Sequence, residues 1–231
     1  KEIPAVAPTC TAVGYTSGVE CEVCHKVLTQ PIEVPMVEHE LAHVSYVLVD
    51  EQWKENLKCN NCSYTEQVDT DKVTTSVGNV GYDTLEEAIS NNEKAEIKVL
   101  EDTVGVGLTT TNGQEIVIDL GGKTYKIDAT YAGSSGTETL GLQIQKGSKV
   151  TIKNGTLDLT STTPSAQGKV LKVGIMNYGE LVLDGVTMDA SGNSNILYVV
   201  SNNYGSLTLQ NETVIKSYEG KAAFDVYYNL L

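Results

Sequence analysis

Five cysteines and three histidines, all lying before residue 63, carry the densest chemistry in this sequence: Cys10, Cys21-Glu22-Val23-Cys24-His25, His39, His43 and Cys59-Asn60-Asn61-Cys62. Two residues between paired cysteines let the chain turn tightly enough to aim both thiolates at one ion. Zn²⁺ takes four sulfur or nitrogen ligands tetrahedrally. Two such knuckles this close together point to a metal, and an odd number of cysteines would leave one thiol over in a closed disulfide framework. One arrangement open to these residues is a single ribbon site from Cys21, Cys24, Cys59 and Cys62. A closed four-ligand site has no position for water or substrate, so its contribution is folding energy. A region this small, with Trp53 as its one large apolar aromatic anchor, needs such a staple. A redox role for Cys21 and Cys24 lacks the surrounding βαβ pattern. His25 and His43, taken singly, read as surface or packing residues.

The second half offers weaker candidates. Asp158, Asp184 and Asp189 lie near repeated strands and can line one face, but Asp184 stands where Lys153 and Gln210 stand in the adjoining repeats, so no acidic ladder is sustained. Lys153 and Asp184 read as a surface charge pair of small worth. The alternative makes them a base and a calcium ligand, and nothing else in the sequence supports calcium. Tyr178 and Tyr204 occupy matching places in Asn177-Tyr178-Gly179-Glu180-Leu181 and Asn203-Tyr204-Gly205-Ser206-Leu207. Pointing outward they would form an aromatic strip suited to sugar rings; the glycines beside them favour packing at a corner, with Asn177 and Asn203 stacked as an amide ladder. Tyr198, Tyr227 and Tyr228 fit either role.

These residues are positioned by a repeated phrase. It reads Val150-Thr151-Ile152-Lys153-Asn154-Gly155-Thr156, then Leu181-Val182-Leu183-Asp184-Gly185-Val186-Thr187, then Leu207-Thr208-Leu209-Gln210-Asn211-Glu212-Thr213, with a weaker copy over Ile116–Gly122. The central residues Ile118, Ile152, Leu183 and Leu209 are 34, 31 and 26 positions apart. One short alternating strand per unit at such a period marks a stacked solenoid, because no single unit can bury its own apolar face. Ahead of the repeats, Thr84-Leu85-Glu86-Glu87-Ala88-Ile89-Ser90 predicts a helix over about 84–92. Thr84 and Glu87 form a capping-box pair, and Leu85, Ala88 and Ile89 share one face. Laid across the first coil, this helix would keep the solenoid core from water. The polar stretch after Gln67 and the turn Gly78–Gly81 divide the chain into a Cys/His module (1–72) and a repeat region (73–231).

Composition narrows the function. All 16 basic residues are Lys, and against 30 acidic residues they leave a net charge of −14. Nucleic acid is disfavoured by this charge and by the absence of Arg. No stretch approaches the roughly 20 apolar residues of a membrane span. Twelve Tyr against one Phe and one Trp, in a Thr- and Gly-rich background, argue for β structure. The final segment from Ala222 to Tyr228 either seals the last coil or leads into further chain.

The runs Gly81-Tyr82-Asp83-Thr84-Leu85-Glu86-Glu87-Ala88-Ile89, Ile97-Lys98-Val99-Leu100 and Ile118-Asp119-Leu120-Gly121-Gly122-Lys123-Thr124 resemble the opening of right-handed parallel β-helix regions. These belong to the pectate-lyase-like superfamily and occur in secreted surface proteins of Gram-positive bacteria. The resemblance implies an all-β chain, a right-handed parallel β-helix solenoid with an N-terminal capping helix, preceded by a small zinc-stapled β module. Polysaccharide-cleaving members use a strong base beside calcium-binding carboxylates, or clustered Asp residues; this chain has neither Arg nor an Asp-Asp pair.

Thr9-Cys10-Thr11-Ala12-Val13-Gly14-Tyr15-Thr16, the Cys21–Cys24 knuckle and Val34-Pro35-Met36-Val37-Glu38-His39 also resemble a small module of such surface proteins. That resemblance implies zinc on Cys10, Cys21, Cys24 and His39. Here His25 and Glu38 stand where the module has Gly, which makes His25 a possible substitute ligand. A degenerate second copy would use His43, Cys59 and Cys62. The resulting expectation is a non-catalytic, adhesin-like segment, secreted or at the cell surface, binding an extracellular glycan or a host or bacterial surface protein without entering the membrane. A polysaccharide lyase or glycoside hydrolase is the alternative, and an architectural spacer the third reading.

Overall fold

The computed structural model describes residues 1–227. The protein is all-β with mixed sheets and one short helix, Leu85–Ser90. It divides into two compact units, one of Lys1–Val47 with Lys54–Thr70, the other of Leu48–Trp53 with the chain from Asp71 onward. No helix among the described residues is long and apolar enough to cross a membrane.

The first unit is built from small antiparallel pieces. Glu2–Ile3, Gly18–Glu20 and Val27–Thr29 form one sheet, and Gly14–Tyr15 pairs with Glu33–Val34. Strand Leu41–Val49 turns back through Asp50 and Glu51, both at positive φ as a two-residue hairpin turn requires, into Gln52–Cys59. That strand pairs with Thr65–Asp69. Cys10, Tyr46 and Cys59 are the buried apolar side chains of this unit among the described residues. Trp53, expected as its anchor, is half-buried and falls in the other unit.

The second unit holds the core. Lys94–Val99, Glu115–Asp119, Lys149–Asp158, Glu180–Asp189 and Ser206–Gln210 form a parallel ladder. Ile97, Ile118, Ile152, Leu183 and Leu209 stand in one column of it, and Ala95, Ile116, Val150, Leu181 and Leu207 in another. A second parallel ladder joins Leu108–Thr109, Leu140–Ile144, Val173–Asn177, Tyr198–Asn203 and Ala222–Tyr227. The alternation of the repeated phrase buries one face of each strand because successive side chains point to opposite sides. Only at the last rung does the column open, where Leu209 is 47 % exposed.

Two long strands run through the Asn-Gly and Gly positions at which the sequence pattern breaks. Asn154 and Gly185 there, and Asn211 at the matching place of the next rung, take φ of 59°, 58° and 50°, whereas the weaker copy turns through two glycines, Gly121 and Gly122, at 56° and 79°. This left-handed conformation bends the three matched rungs alike, and Gly and Asn adopt it most cheaply. Charges outside the core also form columns. Lys94, Glu115, Lys149 and Glu180 are successive neighbours, as are Lys98, Asp119, Lys153 and Asp184. Signs alternate in both, and in-register parallel stacking would otherwise place like charges together.

The helix begins as its sequence implies. Thr84 Oγ1 accepts from the Glu87 N–H at 3.1 Å, while the Glu87 carboxylate accepts from Asp83 N–H rather than from Thr84. Leu85, Ala88 and Ile89 are buried. A buried side chain meets its C-terminal end: Gln114 Nε2 donates to the carbonyl of Ile89 in the helix and to that of Asn92 just beyond it, at 2.9 and 2.8 Å.

Candidate metal centre

Three loops of the first unit meet. The first is the turn at Cys10, closed by Thr9 N–H to the Ala12 carbonyl and by Thr9 Oγ1 accepting from the Ala12 N–H. The second is the extended run through His39, whose Val37 N–H donates to the Thr9 carbonyl at 3.2 Å. The third is the Cys59–Cys62 knuckle at the hairpin turn before Thr65, held by Cys59 N–H to the Tyr64 carbonyl and by Asn60 N–H to the Glu40 carbonyl. These backbone bonds bring the ligand atoms of Cys10, His39, Cys59 and Cys62 within 4.8 Å of one another.

Two separations within the cluster match those of a tetrahedral site. Zn–S bonds of about 2.3 Å and Zn–N bonds of about 2.0–2.1 Å put ligated sulfurs about 3.8 Å apart and a sulfur–nitrogen pair about 3.5 Å apart. Cys10 and Cys59 Sγ are 3.8 Å apart, and Cys62 Sγ lies 3.4 Å from His39 Nδ1. Outer contacts orient the ligands, as metal sites require. The His39 ring stacks on Tyr64 with centroids 4.1 Å apart, and the N–H groups of Asn61 and Tyr64 donate to the Cys59 and Cys62 sulfurs at 3.4 Å. Burial, with the Cys62 and Cys59 sulfurs beside it, pushes the Cys10 thiol up to about 11. The Asn61 N–H, outweighing burial and aided by His39, Cys62 and Cys10, brings the Cys59 thiol down to about 6. A thiolate beside a thiol is a donor pair ready to exchange a proton for a metal.

This grouping differs from both expected sets. Cys10 and His39 are joined by Cys59 and Cys62, in place of Cys21 and Cys24, and the ribbon of four knuckle cysteines is not assembled. Cys21 and Cys24 sit on another hairpin turn, closed by Cys21 N–H to the Lys26 carbonyl and His25 N–H to the Cys21 carbonyl, with His25 at φ 56°. The Cys24 and Val23 N–H groups lower the Cys21 thiol there, but no third ligand joins the pair among the described residues. His43 is not in the cluster either; its Nδ1 lies 3.0 Å from Glu55 Oε1. The residue types were readable from the sequence, whereas the partner of each knuckle depended on which hairpin faces Cys10.

In the second unit, Lys153 and Asp184 are register neighbours, yet Lys153 Nζ pairs with Glu96 at 2.9 Å and Asp119 at 3.5 Å. Glu96 and Asp119 raise the Lys153 ammonium's pKa, and Asp184 accepts from the Asn211 amide. Asp158 and Asp189 accept from Thr160 and Ser191, and Asp189 also pairs with Lys216.

Tyr178 and Tyr204 are 37 % and 57 % exposed, so they point outward rather than into the corner. The amide ladder joins Asn177 to Asn202, not Asn203, with Nδ2 to Oδ1 2.6 Å. The shift comes from one extra residue: Asn177 faces Asn202, but Glu180 faces Ser206. The corner thus has Tyr178-Gly179 on one rung and Asn203-Tyr204-Gly205 on the next. The backbones crowd there, since a Cβ on Gly205 would lie 2.6 Å from the Gly179 carbonyl oxygen. Tyr204 takes φ 60°, a conformation that costs an L-residue about 1 kcal/mol. Tyr228 lies outside the described residues.

Comparison with protein-family models, with curated proteins and with solved structures found no match to this chain.

Proposed function

We propose that this chain is a non-catalytic, adhesin-like segment of a secreted or cell-surface protein: a zinc-clipped β module followed by a right-handed parallel β-helix that presents a binding face to an extracellular glycan. The observation that carries the reading is the Cys10/His39/Cys59/Cys62 cluster, four donors from three chain segments in a unit with almost no apolar core. Bound there, zinc would use all four ligands, leave no position for a reacting water, and supply the folding energy that the missing core does not. The β-helix is supported by two parallel ladders that take up the same repeats in the same order. Display is favoured over cleavage because Lys153, the best base candidate, is held protonated by Glu96 and Asp119, and Asp184 is engaged by Asn211. The acidic composition suits a solvated surface protein.

Metal analysis of the full chain tests the first part. We expect one zinc per chain, lost in Cys59→Ser or Cys62→Ser and kept in Cys21→Ser or Cys24→Ser. Retention in the first pair with loss in the second would overturn the assignment. Incubation with neutral and acidic polysaccharides in the presence of calcium tests the second part. Unsaturated products or new chain ends, abolished by Lys153→Ala, would make the protein an enzyme.

A further inference from the structure

The tyrosine corner of the second unit turns aromatic rings to solvent instead of burying them. Three successive rungs contribute exposed rings, Tyr178, Tyr204 and Tyr227, and Tyr204 meets Tyr227 edge-on with centroids 5.4 Å apart. Parallel strands set neighbouring rungs about 4.8 Å apart, so the rings form a short strip along the stack. The middle ring sits next to the inserted residue, in the left-handed backbone conformation. A glycine would hold that conformation without strain, and strain kept at an exposed aromatic points to use of the ring.

Depressions flank the strip. On one side, about 620 Å³ is lined by Ser134, Gln143, Gln145, Lys146 and Asn203 together with Tyr178 and Tyr204, within the range of small-molecule sites. Among the described residues, the side-chain amides of Gln143 and Gln145 hydrogen-bond to no protein group. On the other side, about 550 Å³ lies beside the same two rings, next to the Lys149–Glu180 ion pair.

We propose that Tyr178 and Tyr204, with Gln143 and Gln145, form a binding site for a neutral, pyranose-based oligosaccharide. The ligand class follows from the chemistry of the wall. Exposed aromatic faces take the apolar C–H face of a sugar ring, and free amides offer a donor and an acceptor each to its hydroxyls. An apolar peptide would find too few apolar partners here. An anionic glycan would meet one unpaired cation, Lys146, on a chain of charge −14. This assignment rests on the glycan-display reading above and gives it a location.

The test is calorimetric titration of the full chain with cellohexaose, laminarihexaose, mannohexaose and chitohexaose, repeated with Tyr178→Ala, Tyr204→Ala, both Phe replacements and Gln145→Ala. We expect at least one probe to bind with a Kd below about 1 mM, and each Ala replacement to weaken it by roughly ten-fold or more. The Phe variants, which keep the ring, should stay within about three-fold of the parent. Binding that survives the double Tyr→Ala replacement would overturn this site while leaving glycan display intact. No binding by the parent chain to any probe at about 10 mM would overturn the neutral-glycan assignment. Neither result bears on the zinc stoichiometry, which tests the metal-clip reading separately.

Discussion

Tyr204 is the residue at which conformational cost and ligand recognition can be separated. In Tyr204→Gly the backbone would keep φ near 60° without a Cβ to crowd it. The expected outcome is a melting temperature raised by roughly 2–4 °C, read by differential scanning calorimetry, with sugar binding lost in the same variant. A lowered melting temperature would mean that the ring stabilises the corner more than its backbone conformation costs. The metal ligands pose a different question, because their identity matters less than their pairing. Cys10 and Cys59 are buried at a sulfur–sulfur separation suited to one ion, whereas among the described residues no third ligand joins Cys21 and Cys24. Knuckle spacing shows that a pair of thiolates can converge; it carries no information on which distant segment completes the set.

Strands and their register are where the sequence was most legible. Ile118, Ile152, Leu183 and Leu209, matched from the repeated phrase alone, stand in one column. The capping residue and buried face of the helix were equally plain, since both rest on local spacing. What spacing missed was the length of each corner. The repeated phrase aligns Asn203 with Asn177, but the inserted residue moves Asn202 into that place and carries Tyr204 outward. An insertion of one residue leaves the alternation on either side intact, so the pattern cannot register it. Because Ile152 lies in the core column between two other side chains, Ile152→Ala should cost about 2–5 kcal/mol in urea unfolding. The charge columns predict a salt effect. Lys149→Glu would set three carboxylates in a row with Glu115 and Glu180. Its melting temperature should fall at low ionic strength and recover as added salt screens the repulsion.

At the scale of the whole molecule, the two units draw on different sources of stability. A chelator should abolish the protection of amides around residues 9–12, 37–40 and 59–62 in hydrogen exchange and leave the buried ladder residues protected. Loss of protection in both would contradict independent stabilisation. Acid should act on both units, on the first by protonating the thiolates that would hold the metal and on the second through its carboxylates. The Ser161 hydroxyl, against the effect of burial, holds the Asp128 carboxyl below its ordinary value. Burial alone would raise Asp119 and Asp189, but Gly121 N–H, Asn154 and Lys153 lower the first, and Ser191 and Lys216 lower the second. Depressed carboxylates contribute stability that is present above the unfolded value of about 3.9 and lost as pH falls through their folded values. The ladder's melting temperature should therefore be level near neutrality and decline below about pH 4. Alternating signs also give the stack a parity. Excising one repeat, residues 149–179, would bring Glu115 against Glu180 and Asp119 against Asp184, like against like in both columns. Excising two, residues 115–179, would set Lys94 against Glu180 and Lys98 against Asp184, and opposite signs would meet again. Shortened by an even number of repeats the wall can close on itself; shortened by an odd number it must carry a seam of repelling charge.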